Sequence, residues 1–418
     1  MQTANPSRKK ISVSIIFLTL IFSTITLLAQ KSDNFTSERD RAISLVDEKK
    51  YAEAVPLLEK LAADKRADKD IFFGLGLSAW QLQNSIKDKA EWRQMRLKAR
   101  NAFVKAKELG VQVPEVDLII ASIKANGGDK NVSDNPQSQA AQEEAFKAFA
   151  AGNFKKAAAE YEKAANLDPT HYEAALYTGN SYYALKDYDK AGIWFAKAIA
   201  LDQNRETAHR YWADGLALSG NKKGAVDKYL DAVVAEPYSS SAWRGLIQYA
   251  QTNDIKLAHP KIEIPVDFSA SGDGNTKITL GMGDKNDDGS FAWTTYGLSR
   301  AAWQTDKDGK LSKEFAKAYP NEKFYRHSLA EEADALRTVL TVVKEGKDVK
   351  KLTPALAALK KLNNEGLLES YILIARADAG IRQDYAAYRQ NNREKLKRYL
   401  SEYVMKNGGN LEADVLKN

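Results

Sequence analysis

Cysteine is missing from all 418 residues. Its absence excludes a disulfide framework, thiolate catalysis and thiolate metal sites, and it leaves the compartment to be read from other features. Histidine is scarce, and the four present, His171, His209, His259 and His327, include no two at the spacing of helix-borne metal ligands. There is no H-E-x-x-H, no G-x-S-x-G elbow and no phosphate-binding glycine loop. Ser219-x-x-Lys222 has the spacing of a serine–lysine nucleophile, but it stands beside Gly220 in a turn between two helical patterns and has no companion motif. Most carboxylates fall on expected solvent faces. The chain is therefore not expected to be an enzyme or to carry a cofactor. A strong charge of one sign is lacking as well: of the formal +7, Arg8, Lys9 and Lys10 supply three, and the remaining +4 is too small and dispersed to argue for nucleic acid.

What is present begins with those three basic residues, which precede an uncharged stretch from Ile11 to Ala29 rich in Ile, Leu and Phe. Residues 1–29 have the layout of an export signal, with Ala29 at a suitable cleavage position. The stretch is also just long enough to span a bilayer, so an uncleaved N-terminal anchor is the alternative. Either places the body outside the cytoplasm, periplasmic or secreted in the first case and membrane-anchored in the second. With 44% hydrophobic and 28% charged residues, the rest has the composition of a folded chain of two or three domains.

Between Gln139 and Pro237 three segments repeat every 34 residues. Ala157, Ala191 and Ala225 are equivalent, as are Ala145, Gly179 and Ala213; Tyr161, Phe195 and Tyr229; and Ala164, Ala198 and Ala232, with Pro169 and Pro237 closing the outer units and Gln203 in the middle one. Small residues, aromatics and a terminal Pro at this period resemble the tetratricopeptide repeat (TPR), with Tyr172–Arg205 the best match. The resemblance implies helical hairpins stacked into a superhelix, a binding scaffold rather than a catalyst. It also implies an inner wall made by the first helix of each pair. In the family register that wall holds Phe146, Phe149, Asn180, Tyr183, Arg210, Asp214, Arg244 and Gln248. Two guanidinium forks one repeat apart, beside Asn180 and Tyr183, could hold a carboxylate or peptide backbone; the competing explanation is that they only keep the wall soluble. The set does not reproduce the two-carboxylate clamp of chaperone-binding TPR domains, so that partner class is not carried over.

Residues 36–125 resemble degenerate repeats. Ala42, Leu45, Tyr51, Ala54, Leu58 and Leu61 fit one pair, with Pro56 expected near the start of its second helix. A second pair carries Phe72, Leu75, Gly76, Ala79 and Trp80, then Ala99, Phe103 and Ala106, with eleven extra residues that lengthened helices could absorb. The inserted, charged Asn84–Lys98 is expected to be solvated. Gly74-x-Gly76-x-x-Ala79 imitates a dinucleotide fingerprint but lies inside a helical pattern, where small residues let helices approach. Residues 126–138, polar and aperiodic, are expected to be a linker, and residues 139–254 to form the array, closed by a helix with Trp243, Leu246 and Ile247.

After residue 254 the period changes. In residues 255–326, Ile262, Ile264, Val266 and Phe268 alternate, then Ile278, Leu280 and Met282, then Phe291 and Trp293, which predicts a three-stranded antiparallel meander with Pro265 at an edge. Asp284, Asn286, Asp288 and Gly289 match the opening of a calcium-binding EF loop, although Thr295 stands where the closing Glu belongs; an Asp/Asn/Gly turn is the plainer explanation. The run Asp306–Ser312 is a second, weaker resemblance. Residues 327–406 are expected to be helical. His327 and Glu331 could share a helix face, but Ser328 with Glu331 also makes a capping box, and Tyr385, Tyr388, Leu396, Tyr399 and Tyr403 form a core stripe on the last helix. Residues 407–418 are expected to be a disordered tail.

The expected fold is thus mainly α, a TPR superhelix followed by a small α+β C-terminal domain. The expected function is an exported scaffold for protein–protein interaction or assembly in the cell envelope, holding a protein or peptide in its concave groove. The alternative is a calcium-binding or enzymatic C-terminal domain that the array targets.

Overall fold

The computed structural model describes residues 34–270, 276–280, 288–305, 308, 310–345 and 351–405. The expected leader, the tail and the loop positions Asp284 and Asn286 lie outside them. Helices dominate, and the chain divides into two compact units at 130/131. No helix among the described residues is long and apolar enough to cross a membrane.

The first unit contains α1 (34–47), α2 (Tyr51–Ala62), α3 (Lys69–Leu82), α4 (Lys89–Glu108) and α5 (Pro114–Ser122). Asp68 caps α3 by accepting from the Asp70 and Ile71 amides, and Arg39 from α1 anchors the same carboxylate at 2.7 Å. Pro56 lies in the second turn of α2 rather than near its start, because α2 already begins at Tyr51. The insertion is absorbed by a 3-10 turn (Gln83–Ser85) and by α4, which at 20 residues is longer than any helix of the clear repeats. Gly76 packs so closely that an added Cβ would stand 2.6 Å from the Phe103 ring, the helix-approach role expected of it. The inserted segment is not all solvated. Arg96 is 3% exposed, donates to the carbonyls of Gly127 and Ser122 and to Gln83 Oε1, each at 3.2 Å, and lies over the Trp92 ring at 4.6 Å.

Arg96 also explains why the expected linker is ordered. Its carbonyl acceptor sits in a tight turn closed by the Ile123–Asp129 bridge, within the first unit. Beyond 130, Ser133 donates to Asp168, Asn135 donates to the Leu167 carbonyl and caps the next helix, and His171 reaches the Asn131 carbonyl at 2.9 Å. Polar composition suggested solvation; the polar groups are instead used up on folded neighbours.

The second unit opens with three helical hairpins: α6 (Pro136–Ala150) with α7 (Phe154–Leu167), α8 (Tyr172–Ala184) with α9 (Tyr188–Leu201), and α10 (Glu206–Leu218) with α11 (Lys222–Ala235). Each hairpin turns identically. Gly152, Lys186 and Gly220 take positive φ of 75°, 61° and 85°, and the next residue, Asn153, Asp187 or Asn221, caps the second helix by accepting an amide three residues on. Lysine is strained where its counterparts are glycine. Lys186→Gly is therefore expected to stabilise by about 1 kcal/mol and Gly220→Ala, whose Cβ would meet no atom within 4 Å, to destabilise by about 1 kcal/mol. Urea midpoints check this; shifts of the same sign would refute a backbone cause.

After α12 (Ser240–Thr252) the described residues of the expected meander form an antiparallel pair, β1 (Val266–Ala270) and β2 (Thr276–Leu280), registered Val266 to Leu280 and Phe268 to Ile278. The third predicted strand is a 3-10 turn (Ser290–Trp293) running into α13 (Thr294–Ala302), with Ala292 and Trp293 both buried. Two apolar residues spaced by one fit a tight helical turn as well as a strand. Helices α14 (Lys313–Ala318), α15 (Leu329–Glu345), α16 (Pro354–Asn364), α17 (Leu368–Tyr371), α18 (Ala379–Arg382) and α19 (Tyr385–Tyr399) follow, and π-helical turns (Ile372–Arg376, Leu400–Val404) extend α17 and α19.

This region does not form a separate domain behind the array. One apolar core runs from Ala213 and Tyr229 through Trp243 to Tyr399 and Val404. Tyr385 Oη donates to the Val234 carbonyl at 2.7 Å, Tyr238 Oη to the Leu373 carbonyl at 2.8 Å, and Lys397 pairs with Asp227 and Asp231 at 2.7 Å. Helix α19 lies against α11 and covers the end of the array. The tyrosine stripe is core, as expected, although Asn392 breaks the helical geometry within α19.

Candidate functional site

The eight expected groove residues fall into three groups. Phe146 projects from α6 with 67% of its surface exposed, and Phe149 packs edge-on to Phe154 at 5.1 Å. Both line a cavity of about 610 Å³ whose floor is the stacked pair Tyr161–Tyr177, 5.5 Å apart, with Val132 and Gln142 at its sides. Burial drives the Tyr161 phenol up to about 12. Tyr161 is legible as a repeat position, yet nothing in the 34-residue period says that its ring meets an opening.

Asn180, Tyr183, Arg210 and Asp214 are half-buried in the middle of the wall. Arg210 is not a free fork: Nε and Nη2 donate to Glu206 at 2.8 and 3.2 Å, and the guanidinium lies over the Tyr211 ring. Asp214 accepts from Tyr229 Oη at 2.5 Å; burial raises its pKa against that bond. The third group, Arg244 and Gln248 on α12, is exposed. Reversing the charge of Arg210 would leave buried Glu206 facing a like charge, so Arg244 is the cleaner probe of the wall.

Of the calcium positions, only Asp288 is described. Its Oδ1 accepts from the Ser290 amide at 2.9 Å, and Gly289 has φ 79°, the geometry of a polar turn leading into the 3-10 helix. No group of three or more metal-capable side chains occurs among the described residues.

The segment 325–332 is a dense ionic cluster. Ser328 Oγ accepts the Glu331 amide at 3.3 Å, but the Glu331 carboxylate does not complete the capping box. It accepts instead from Arg300 Nε at 3.0 Å and from Tyr325 Oη at 2.8 Å. Asp384 accepts the amide of Leu329, the first residue of the helix, at 2.7 Å. His327 does not pair with Glu331: its Nδ1 meets Asp378 at 2.6 Å, and its Nε2 lies 3.3 Å from Glu332 without a well-aligned hydrogen bond. Glu332, 1% exposed, also accepts from Tyr296 Oη at 2.6 Å and Arg376 Nε at 3.3 Å. Burial opposes charge on His327, but its two carboxylate partners, Asp378 and Glu332, prevail and hold it at about 9; His327, Arg376 and the Tyr296 hydroxyl in turn hold Glu332 down at about 2 against its own burial. Sequence pointed to His327 and Glu331 and missed Tyr296, Arg300, Arg376 and Asp378, which only the tertiary fold brings there.

The family model of the tetratricopeptide repeat matches residues 39–86 and 145–206. The chain contains tetratricopeptide repeats in these two segments. Solved structures similar to it include the Arabidopsis OM64 TPR domain, at 18% identity and TM-score 0.26, covering 28% of this chain and 96% of that one. The first TPR of Spaghetti (RPAP3) bound to the HSP90 peptide SRMEEVD is similar at 21% identity and TM-score 0.27, covering 29% of this chain and 96% of that one. The Sgt2 TPR domain from Aspergillus fumigatus follows at 22% identity and TM-score 0.28, covering 30% and 85%. No curated protein matches the chain.

Proposed function

We propose that this protein is an exported, non-enzymatic scaffold that holds a protein or peptide segment along the wall formed by α6, α8, α10 and α12. The observation that carries the reading is the aromatic cavity at the start of that wall, where the side chain of Phe146 stands in solvent above Tyr161 and Tyr177. An exposed aromatic beside an apolar opening is the usual make-up of an interface anchor. Exposed Arg244 and Gln248 at the far end supply polar contacts for a backbone or carboxylate. Export rests on the basic residues and apolar stretch of 1–29.

Crosslinking and pull-down from the cells that make the protein test this. Phe146→Asp, at an exposed position that leaves the fold intact, is expected to cut recovery of the crosslinked partner at least about tenfold, the loss of one anchor. Arg244→Glu is expected to give a smaller loss that grows as salt is lowered. Equal recovery with Phe146→Asp and wild type would remove the cavity from the interface.

A further inference from the structure

The cluster around Glu332 encloses a second cavity, of about 440 Å³, bordered by Tyr296 and Arg300 from α13, His327 and Glu332 at the head of α15, and Arg376 and Asp378 at the end of the π-helical turn. Buried charges stabilise a fold less than apolar side chains of equal volume. When they border an opening instead of filling the space between elements, a ligand is the better account of their presence.

Two arginines of this region make the contrast. Arg326 is 5% exposed and fully engaged: it donates to Glu322 at 2.7 and 2.9 Å, to Asp384 at 2.6 and 3.0 Å, and to the Gly380 carbonyl at 2.8 Å. That is how a purely structural guanidinium is held here. Arg376 borders the cavity with 28% of its side chain exposed; apart from the Tyr371 hydroxyl, its contacts to Glu332 and the Ile262 carbonyl are long, 3.3 and 3.4 Å. A guanidinium bonds a carboxylate fork at about 2.7–2.9 Å, so Arg376 is the one positioned to gain from a new anionic partner. Arg300, whose Nε is committed to Glu331 behind the wall, adds positive charge to the same opening. The other walls are mostly polar: tyrosine hydroxyls, Gln304, the His327 ring and the Asp378 carboxylate, half of whose side chain is exposed. Such walls match hydroxyl groups and reject a hydrocarbon body.

We propose that this cavity binds a small polyhydroxylated carboxylic acid of the sugar-acid class, with its carboxylate on Arg376 and its hydroxyls against Asp378 and the tyrosines. Isothermal titration of the full chain tests this, using D-gluconate and D-glucuronate as probes against D-glucose and inorganic phosphate. At least one acid is expected to bind with a Kd below about 10 mM and to raise the melting temperature, while glucose and phosphate bind at least about tenfold more weakly. Arg376→Gln is expected to weaken the acid about tenfold or more. If that variant does not fold, Asp378→Asn, at a more exposed position, is expected to weaken it about threefold or more while leaving phosphate unaffected. No heat with either acid at about 10 mM, or phosphate or glucose binding as tightly, overturns the proposal. So does an Arg376→Gln variant that folds and binds as well as wild type.

Discussion

Glu332→Leu is expected to lower the unfolding free energy by about 3–5 kcal/mol, as breaking one side of a buried ionic cluster does. The carboxylate is 1% exposed and serves Tyr296, His327 and Arg376 together; leucine would leave the Arg376 guanidinium without its counter-charge, the His327 imidazolium with Asp378 alone, and the Tyr296 hydroxyl without its acceptor. Glu402→Ala, which removes an exposed ion pair with Arg398, is the control and is expected to change stability by less than about 1 kcal/mol. The same cluster sets a pH dependence. His327 is held at about 9, above the ordinary 6.5, so its contribution is complete below pH 6.5 and is lost as pH rises through about 9. Glu332 is depressed to about 2 from 4.5, so its share is present above pH 4.5 and lost as pH falls through about 2. The alkaline loss is on the order of 3 kcal/mol and is read from urea midpoints between about pH 6 and 9.5, before the tyrosines titrate. It should shrink in His327→Gln. A midpoint flat over that window would remove the charged imidazole from the account.

Tyr399→Ala carries the second large expected effect, a loss of about 3–5 kcal/mol. Its fully buried ring stacks on His259, with Oη 2.8 Å from Nδ1, and meets Tyr371 and Tyr403 at 6.1 and 5.9 Å. Because Trp243 of α12 packs edge-on to the same His259, the loss spreads into the array. The melting transition of the second unit is expected to shift as a whole, by near-UV circular dichroism and by calorimetry, whatever the first unit does. A split of that transition into two would show that the repeats after residue 130 and the region after residue 254 fold apart. The shared core also means that a fragment of residues 255–418 would expose the face that α19 lays against α11, so calcium or ligand titrations belong on the full chain.

The repeats were legible because their information is local and periodic. Gly76 under Phe103 and Gly179 under Phe195 are 27 and 16 residues apart, and the difference is the eleven-residue insertion, so the longer helix keeps the same close approach in register. The caps at Asn153, Asp187 and Asn221 share that period. The region after residue 254 lacks any such rule. Phe291 and Trp293 alternate like a strand over too few residues to exclude a helical turn, and Asp288 is liganded by its own loop's amide. Its ionic cluster draws Arg300, Glu332 and Arg376 from separate elements, a proximity that no spacing encodes. In the proposed groove the repeat period places Phe146 and Phe149 on the first helix of a pair, whereas the engagement of Arg210 by Glu206 depends on which neighbours the burial leaves available.

Helix α19 has one more consequence. In an open solenoid the last repeat presents the surface that the next would occupy, so the number of units can change by duplication. Here α12 stands where the first helix of a next unit would, and Tyr385, Arg389 and Lys397 of α19 cover the rest of that surface by bonding to the Val234 and Ala235 carbonyls and to Asp231. A unit duplicated after α11 would have to evict α19 and open the core behind it. The length of the array is therefore fixed at this end, and growth or shortening over evolution is confined to the repeats upstream.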